Sequence, residues 1–458
     1  MSLYKRKKGG EQPYWPIGKY KMRLPFIHYR LENPELIQGV VIFTIGLSMI
    51  EIMTGVLGMS YEAALTITIF SQFLMLIPPM FGVPFVTGFI TPLIPVLVLF
   101  LTDFEPGPQA IQALIAVQLI VAVIFLILGI SGLGRIFITK LPTSLKAGIL
   151  IGAGITAIMS EIEEGGRLAE TPITLIAGGL LCLYIMFSLS FKKLNQKNKI
   201  LKFIASYGIM PAIIAAMIIG WIVSEYPTPQ VEWGITVPSL AEMWGTSPFA
   251  LGFPGFDIFL AAAPTAILAY IIAYGDIVVG QKLIERANES RKDEVINYDL
   301  NQVHVLTFVR NFLHSLFLPH PGLAGPIFTA GTASVAERYT FGRRAMDSIF
   351  SGTNSLLISL ALAIFILPLV TLFQPFLPIA LSITLLLTGY LCINIGIQQV
   401  KTEAEIGVAG VMAIVLAVYG AAYALVAGLV LYFLIQRPNI FKKEASEEDS
   451  EEIEKNAG

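Results

Sequence analysis

Two carboxylates of this 458-residue chain stand inside apolar runs, Asp276 and Glu51. An ionisable side chain at that depth is costly, which makes each a functional hypothesis by default. Asp276 follows a long apolar run. A carboxyl there could bind and release a proton or a sodium ion as its surroundings alternate between wet and dry. Its structural alternative is an ion pair with Lys282 or Arg286 at the membrane edge. Glu51, two-thirds along the first apolar run, could hold a coupling ion or simply reach the outer interface. Arg310, Asn311 and His314 cluster further on; Arg310 and His314 are four apart and share a helical face, poised to pair with an acid or touch a solute. His320 could titrate near neutrality or sit in an outward-facing polar loop. Glu161, Glu163 and Glu164 read as a solvated acidic run, and Gln72, Gln112, Gln118 and Asn394 as interhelical hydrogen-bonding amides. Covalent chemistry is not indicated: there is no phosphate-binding Gly-x-x-x-x-Gly-Lys-Ser/Thr loop and no nucleophile beside a base. Cys182 and Cys392 lie far apart in apolar sequence and the four histidines are scattered, so no metal site, disulfide or cofactor is expected and the chain does not read as an enzyme.

Backbone supplies the other candidate chemistry. Gly82-Val83-Pro84-Phe85-Val86-Thr87-Gly88-Phe89-Ile90-Thr91-Pro92 and His320-Pro321-Gly322-Leu323-Ala324-Gly325-Pro326-Ile327-Phe328-Thr329-Ala330-Gly331 are both apolar and broken by Pro and Gly. They align without a gap 237 residues apart, Pro84 on Pro321 and Gly88 on Gly325. Interrupted segments at matching places in two halves point to a midplane binding site, because extended backbone survives at membrane depth only where protein or a wet cavity covers it. If Phe85, Val86, Thr87 and Gly88 and, opposite them, Leu323, Ala324, Gly325 and Pro326 are extended and lead into short helices, two helix N-termini face one another. Their free N–H groups favour an anion or an acceptor-rich solute, and Phe85 could stack on a planar one.

These pieces need a scaffold, and composition names it. The chain is 55% hydrophobic and 14% charged, with mean hydropathy +0.73, against about 25% charged in soluble domains. Net charge is −2, which gives no electrostatic case for nucleic acid. Apolar segments near the ~20 residues that cross a bilayer fall at 36–56, 61–78, 85–101, 110–130, 143–160, 172–189 and 207–223. A second set follows at 256–281, 302–318, 326–337, 348–372, 377–398, 405–419 and 421–435. Lys and Arg concentrate in the first thirty residues, around 135–146, 192–202, 282–292 and 338–344, at 401 and beyond 437. With an inside N-terminus every one of these lies on the cytoplasmic side, as the positive-inside rule requires, and Arg167 is the exception in the outer loops. The basic start lacks the pattern of a cleaved signal. A second pair, Leu141-Pro142 with Leu145 and Leu377-Pro378 with Leu381, repeats at nearly the same offset. Seven spans per half is odd, so the halves must be inverted.

At these segments the sequence resembles the seven-plus-seven inverted-repeat transporters: the nucleobase/ascorbate permeases, which include uracil and xanthine permeases, and the related sulfate permeases. The likeness lies in 82–95, in Gly275-Asp276, in 319–331, and in Leu377-Pro378-Ile379 through Leu385-Leu386-Leu387-Thr388-Gly389-Tyr390. It implies a core domain of spans 1–4 and 8–11, a gate domain of spans 5–7 and 12–14, and a substrate held between the third and tenth spans beside the eighth; homodimers are implied as well. One departure separates this chain from the nucleobase permeases: 322–331 holds no acid, and Ile272 stands where their eighth-span Glu is expected, with Asp276 a turn later.

The expected fold is therefore an all-α polytopic membrane protein of fourteen transmembrane segments in two inverted repeats of seven, with broken third and tenth spans and core and gate domains. Its expected parts are a cytoplasmic N-terminal tail (1–35), the first repeat (36–228), an extracellular loop (229–255), the second repeat (256–437) and an acidic cytoplasmic tail (438–458). The expected function is ion-coupled secondary transport of a small solute, preferably an anion, across the cytoplasmic membrane by alternating access. A proton or sodium is the expected coupling partner. A nucleobase permease or a passive anion channel on the same fold are the alternatives. Substrate contacts are expected from Asp276 and residues 85–88 and 323–326, and ion coupling from Asp276 and Glu51.

Overall fold

The computed structural model describes residues 6–134, 136, 140–198, 201 and 210–436. The start of the segment at 207–223, the basic residues Arg135, Lys199, Lys202, Arg437, Lys442 and Lys443, and the acidic tail lie outside the described residues. Helices dominate. They are α1 (Asn33–Leu47), α2 (Met49–Gly55), α3 (Tyr61–Leu74), α4 (Ile94–Leu101), α5 (Pro108–Ser131), α6 (Thr143–Ile162) and α7 (Pro172–Phe187). After them come α8 (Met210–Ile222), α9 (Phe256–Ser290), α10 (Leu300–Phe317), α11 (Thr329–Tyr339), α12 (Ile349–Ala363), α13 (Leu377–Gln399) and α14 (Glu403–Ile435). Among the described residues seven helical stretches are long and apolar enough to cross a membrane, and shorter apolar helices such as α7 and α12 stand beside them.

Two bundles result. In one, α5 packs on α9 and α10, α1 on α12, and α9 on α11; in the other, α6 packs on α13 and α14, and α7 on α8 and α13. These groupings match the core and gate divisions. Within α14 the chain folds back at Gly420, whose φ of 81° only glycine adopts freely. A Cβ on Gly428 would fall 2.5 Å from the Met412 sulfur, although those residues would be ~24 Å apart along a straight helix. The stretch is thus a helical hairpin, the two segments expected at 405–419 and 421–435.

Small residues let the gate helices touch. A Cβ on Gly154 of α6 would come 2.6 Å from the Gly389 carbonyl oxygen, and one on Gly389 of α13 would come 2.8 Å from the Gly154 oxygen. This reciprocity is what a two-fold axis between repeats produces.

Residues 6–32, expected as part of a tail, form a cap on the core bundle. Strands β1 (Trp15–Ile17) and β2 (Tyr20–Met22) pair antiparallel around Gly18. Arg6 is buried and bonds Gln12, the Asp293 carboxylate at 2.7 Å and the Asp347 carbonyl at 2.9 Å. The guanidinium of Arg23, also buried, lies 3.9 Å over the Phe350 ring, and the Arg23 backbone N–H donates to the Met80 carbonyl at 2.7 Å. Gln302 donates to the Lys19 carbonyl at 2.6 Å. The cap therefore ties the ends of α9, α10 and α12 to the start of the first broken segment.

Hydrogen bonds from Arg291 first, then Arg6, hold the Asp293 carboxyl below the usual carboxylate range. A carboxyl so lowered stabilises the fold at every pH above its unfolded value of ~3.9 and loses that contribution as pH falls through the folded value. Arg6→Gln is expected to lower stability by roughly 1–3 kcal/mol between pH 5 and pH 8, the difference closing only in stronger acid. Thermal unfolding in detergent across a pH series checks this, and a difference that peaks below pH 4 would contradict it.

Candidate functional site

Both broken segments are extended, and they meet. Strand β3 (Gly88–Phe89) pairs antiparallel with β4 (Ala324–Gly325), Gly88 opposite Gly325 and Phe89 opposite Ala324. Gly88 and Gly325, aligned at offset 237, thus lie opposite one another, as they must when a two-fold axis passes between them. A glycine is required on each side. A Cβ on Gly88 would lie 2.7 Å from the Phe328 Cβ, and one on Gly325 2.8 Å from the Phe89 carbonyl carbon. Around this pair the Phe328 N–H donates to the Val86 carbonyl at 2.6 Å, and the Ile90 N–H to the Gly322 carbonyl at 3.0 Å. The Val86 N–H donates to the Thr332 hydroxyl at 3.0 Å, and the Thr87 hydroxyl to the Met75 carbonyl. Beyond β3 a turn of 3-10 helix (Thr91–Leu93) opens α4; beyond β4, α11 begins at Thr329. The sequence reading placed the tenth helix from 326, but Gly325 and its neighbours are taken up by the strand and the chain turns helical only after Phe328.

Arg310 holds the crossing together. It projects from α10, fully buried, and donates to the Gly325 carbonyl at 2.6 Å and the Gly88 carbonyl at 3.0 Å. One planar guanidinium fork thereby caps a carbonyl on each repeat. Next to it Asn311 exchanges both amide bonds with Ala324, donating to its carbonyl at 2.8 Å and accepting from its N–H at 3.0 Å. The expectation that Arg310 and His314 pair with an acid fails: among the described residues no carboxylate lies within ion-pair distance of Arg310. His320 is not in an outer loop. It is buried, stacks on Phe89 with ring centroids 4.3 Å apart, lies 5.9 Å from the His314 ring, and its carbonyl accepts from Gln118 at 3.0 Å.

The other expected residues surround this crossing at different distances. Phe85 is buried, edge-on to Tyr298 at 5.3 Å, and packs with Ile327 against Gly280 of α9. Val86, Thr87, Leu323 and Ala324 are buried, and Leu323 has a left-handed φ of 40°. Asp276, half-buried on α9 one turn before Gly280, makes no hydrogen bond or ion pair among the described residues; Lys282 and Arg286 are not its partners. A Cβ at its neighbour Gly275 would meet nothing within 4 Å, so this stretch of α9 borders open space, and Asp276 lies within electrostatic reach of Cys392 on α13. Glu51 is elsewhere, near the far end of the core bundle, 3.2 Å from Arg167. Sequence reading missed Thr332 and did not assign the carbonyl-capping role of Arg310. A lone arginine in an apolar helix, with no acid three or four residues away, was the available signal.

The fold has precedents among solved structures. The transmembrane domain of a cyanobacterium bicarbonate transporter, BicA, superposes with TM-score 0.54 at 18% identity, over 86% of this chain and 96% of that one. SLC26A9 matches with TM-score 0.54 at 16% identity, over 88% of this chain and 65% of that one. Murine Slc26a9, described as an anion transporter in the inward-facing state, matches at TM-score 0.54 and 14% identity, over 92% of this chain and 69% of that one. The chain shares their fold. It spans about two-thirds of the length of the two SLC26A9 chains. No family model matches the sequence, and neither does any curated protein.

Arg310→Met removes both carbonyl caps and should destabilise the protein by roughly 1–3 kcal/mol for each orphaned acceptor; Arg310→Lys, with a charge but no fork, should fall between. Thermal midpoints of the three proteins in detergent measure this, and a Met variant as stable as the parent would refute the cross-linking role.

Proposed function

We propose that the chain carries a small anion across the cytoplasmic membrane by alternating access, the core bundle moving against the gate bundle with the solute at the β3–β4 crossing. One observation carries the reading: a buried guanidinium with no acid beside it among the described residues, anchored to both broken segments. A unit anion within ~8 Å of that charge gains roughly 2 kcal/mol at an effective dielectric near 20, and a cation loses as much. That difference of ~4 kcal/mol is about a thousandfold in selectivity. The first turn of α11 adds N–H groups that lack helical acceptors and favours the same sign. The solved structures that share the fold include a bicarbonate transporter and an anion transporter, which agrees with this choice.

On this reading residues 85–88 and 323–326 line the solute through backbone as much as side chain. Asp276, unpaired beside open space, binds the coupling proton or sodium. Fourteen crossings in two inverted sets of seven place both termini on the cytoplasmic side, and two copies assemble as a homodimer.

Uptake into proteoliposomes tests it, with bicarbonate, sulfate and chloride compared with uracil and xanthine under imposed proton or sodium gradients. Anion accumulation against its gradient is expected, together with at least a tenfold loss of the gradient-dependent part in Asp276→Asn at unchanged thermal stability. Accumulation of nucleobases only, or unitary currents without accumulation, would overturn the reading. An Asp276→Asn protein with undiminished gradient dependence would remove Asp276 from it.

A further inference from the structure

Glu161, expected in a solvated acidic run, is instead buried. Glu163 and Glu164 are exposed, but Glu161, in the last turn of α6, is 3% exposed and its Oε2 has no partner. Its other contacts are the Ser382 hydroxyl on α13 and, within electrostatic reach, Arg167. Arg167 sits on a short helix (Arg167–Glu170) that packs on α6, α7 and α13 of the gate bundle. Its Nη2, however, lies 3.2 Å from Oε1 of Glu51, which belongs to α2 of the core bundle. The pair crosses the seam on the face opposite the amino-terminal cap.

We propose that Arg167 is a charge-exchange latch: it clasps Glu51 of the core while this face of the seam is shut, and swings back to Glu161 of its own bundle when the seam opens. The inference rests on the transport reading for its purpose, not for its geometry. Three facts support it. The Glu51 and Arg167 side chains are partly buried, 33% and 21% exposed, so water still reaches the pair and weakens it enough to part within a working cycle. Glu161 holds a buried oxygen with no partner, an arrangement that destabilises the shut state and that Arg167 would relieve on returning. Arg167 is also the lone Lys or Arg in the stretches read as facing that side, so two carboxylates compete for one cation.

The test is a distance measurement in proteoliposomes of the full chain, with spin labels at Gly55→Cys and Ala169→Cys. A Cβ at Gly55 meets nothing within 4 Å, Ala169 is exposed, and both natural cysteines are buried away from label. Glu51→Gln should move the population towards the longer distance at least threefold. Glu161→Gln, or Glu161→Met should the amide misfold, should move it at least threefold the other way, and Arg167→Gln should erase the difference between the carboxylate variants. Shifts of the same sign, or shifts that persist without Arg167, overturn the latch. Failure of the unlabelled protein to accumulate any anion counts against the transport reading alone, because the distances need no substrate.

Discussion

Backbone at membrane depth must find hydrogen-bond partners within the protein, and that requirement organises this structure. A helix meets it by itself; the two broken segments cannot. They satisfy part of it by pairing with each other through β3 and β4, and the remainder falls to α10, where Arg310 and Asn311 take carbonyls from both strands. Leaving such a carbonyl unpaired in a dry interior costs about as much as a lost hydrogen bond, and several would rival the whole stability of a domain. The positive charge is therefore fixed first by architecture. On the transport reading proposed above, its sign favours anions at the crossing, so one residue would link the folding problem to the selectivity problem.

Symmetry follows from the same constraint. Two strands related by a two-fold axis pair most simply residue on mate, and Gly88 lies opposite Gly325. The gate bundle shows the corresponding contact between Gly154 and Gly389, where two backbones approach too closely for any side chain. The core bundle thus carries an extended crossing and the gate bundle a close helical one, each near the pseudo-axis. The amino-terminal cap breaks the symmetry. It ties core elements alone through Arg6, Arg23 and Gln302, so it travels with the core bundle in any rigid-body motion between the two.

Much of this was legible in the sequence, and for physical reasons. Local signals carried it: Pro and Gly punctuation marked the breaks, equal spacing marked the repeat, and Gly420 between two apolar runs marked the helical hairpin. The charge pattern located Arg167 as an anomaly before any contact was known. What stayed hidden depends on tertiary neighbours. Nothing near Arg310 in the chain announces that its acceptors are the carbonyls of residues 88 and 325. Glu161 reads like Glu163 and Glu164 because all three follow the same apolar run; only the approach of α13, bringing Ser382, buries one and leaves the others in water. The cap was missed likewise, since basic side chains at 6 and 23 look solvated until Asp293 and Phe350 are seen beside them.

Asp276 and Arg310 answer different demands. Arg310 is spent on carbonyls and buried from water, so it cannot cycle a proton without releasing the crossing it holds. Asp276 has no hydrogen-bond or ion-pair partner among the described residues, and its neighbour Gly275 borders open space on the helix that packs against α11. A group that must change its charge state once per cycle has to be weakly committed in the resting structure, and a group that must set a permanent field has to be strongly committed. The two residues fall on opposite sides of that division, which is the physical reason the proposed reading gives coupling to the acid and selectivity to the base.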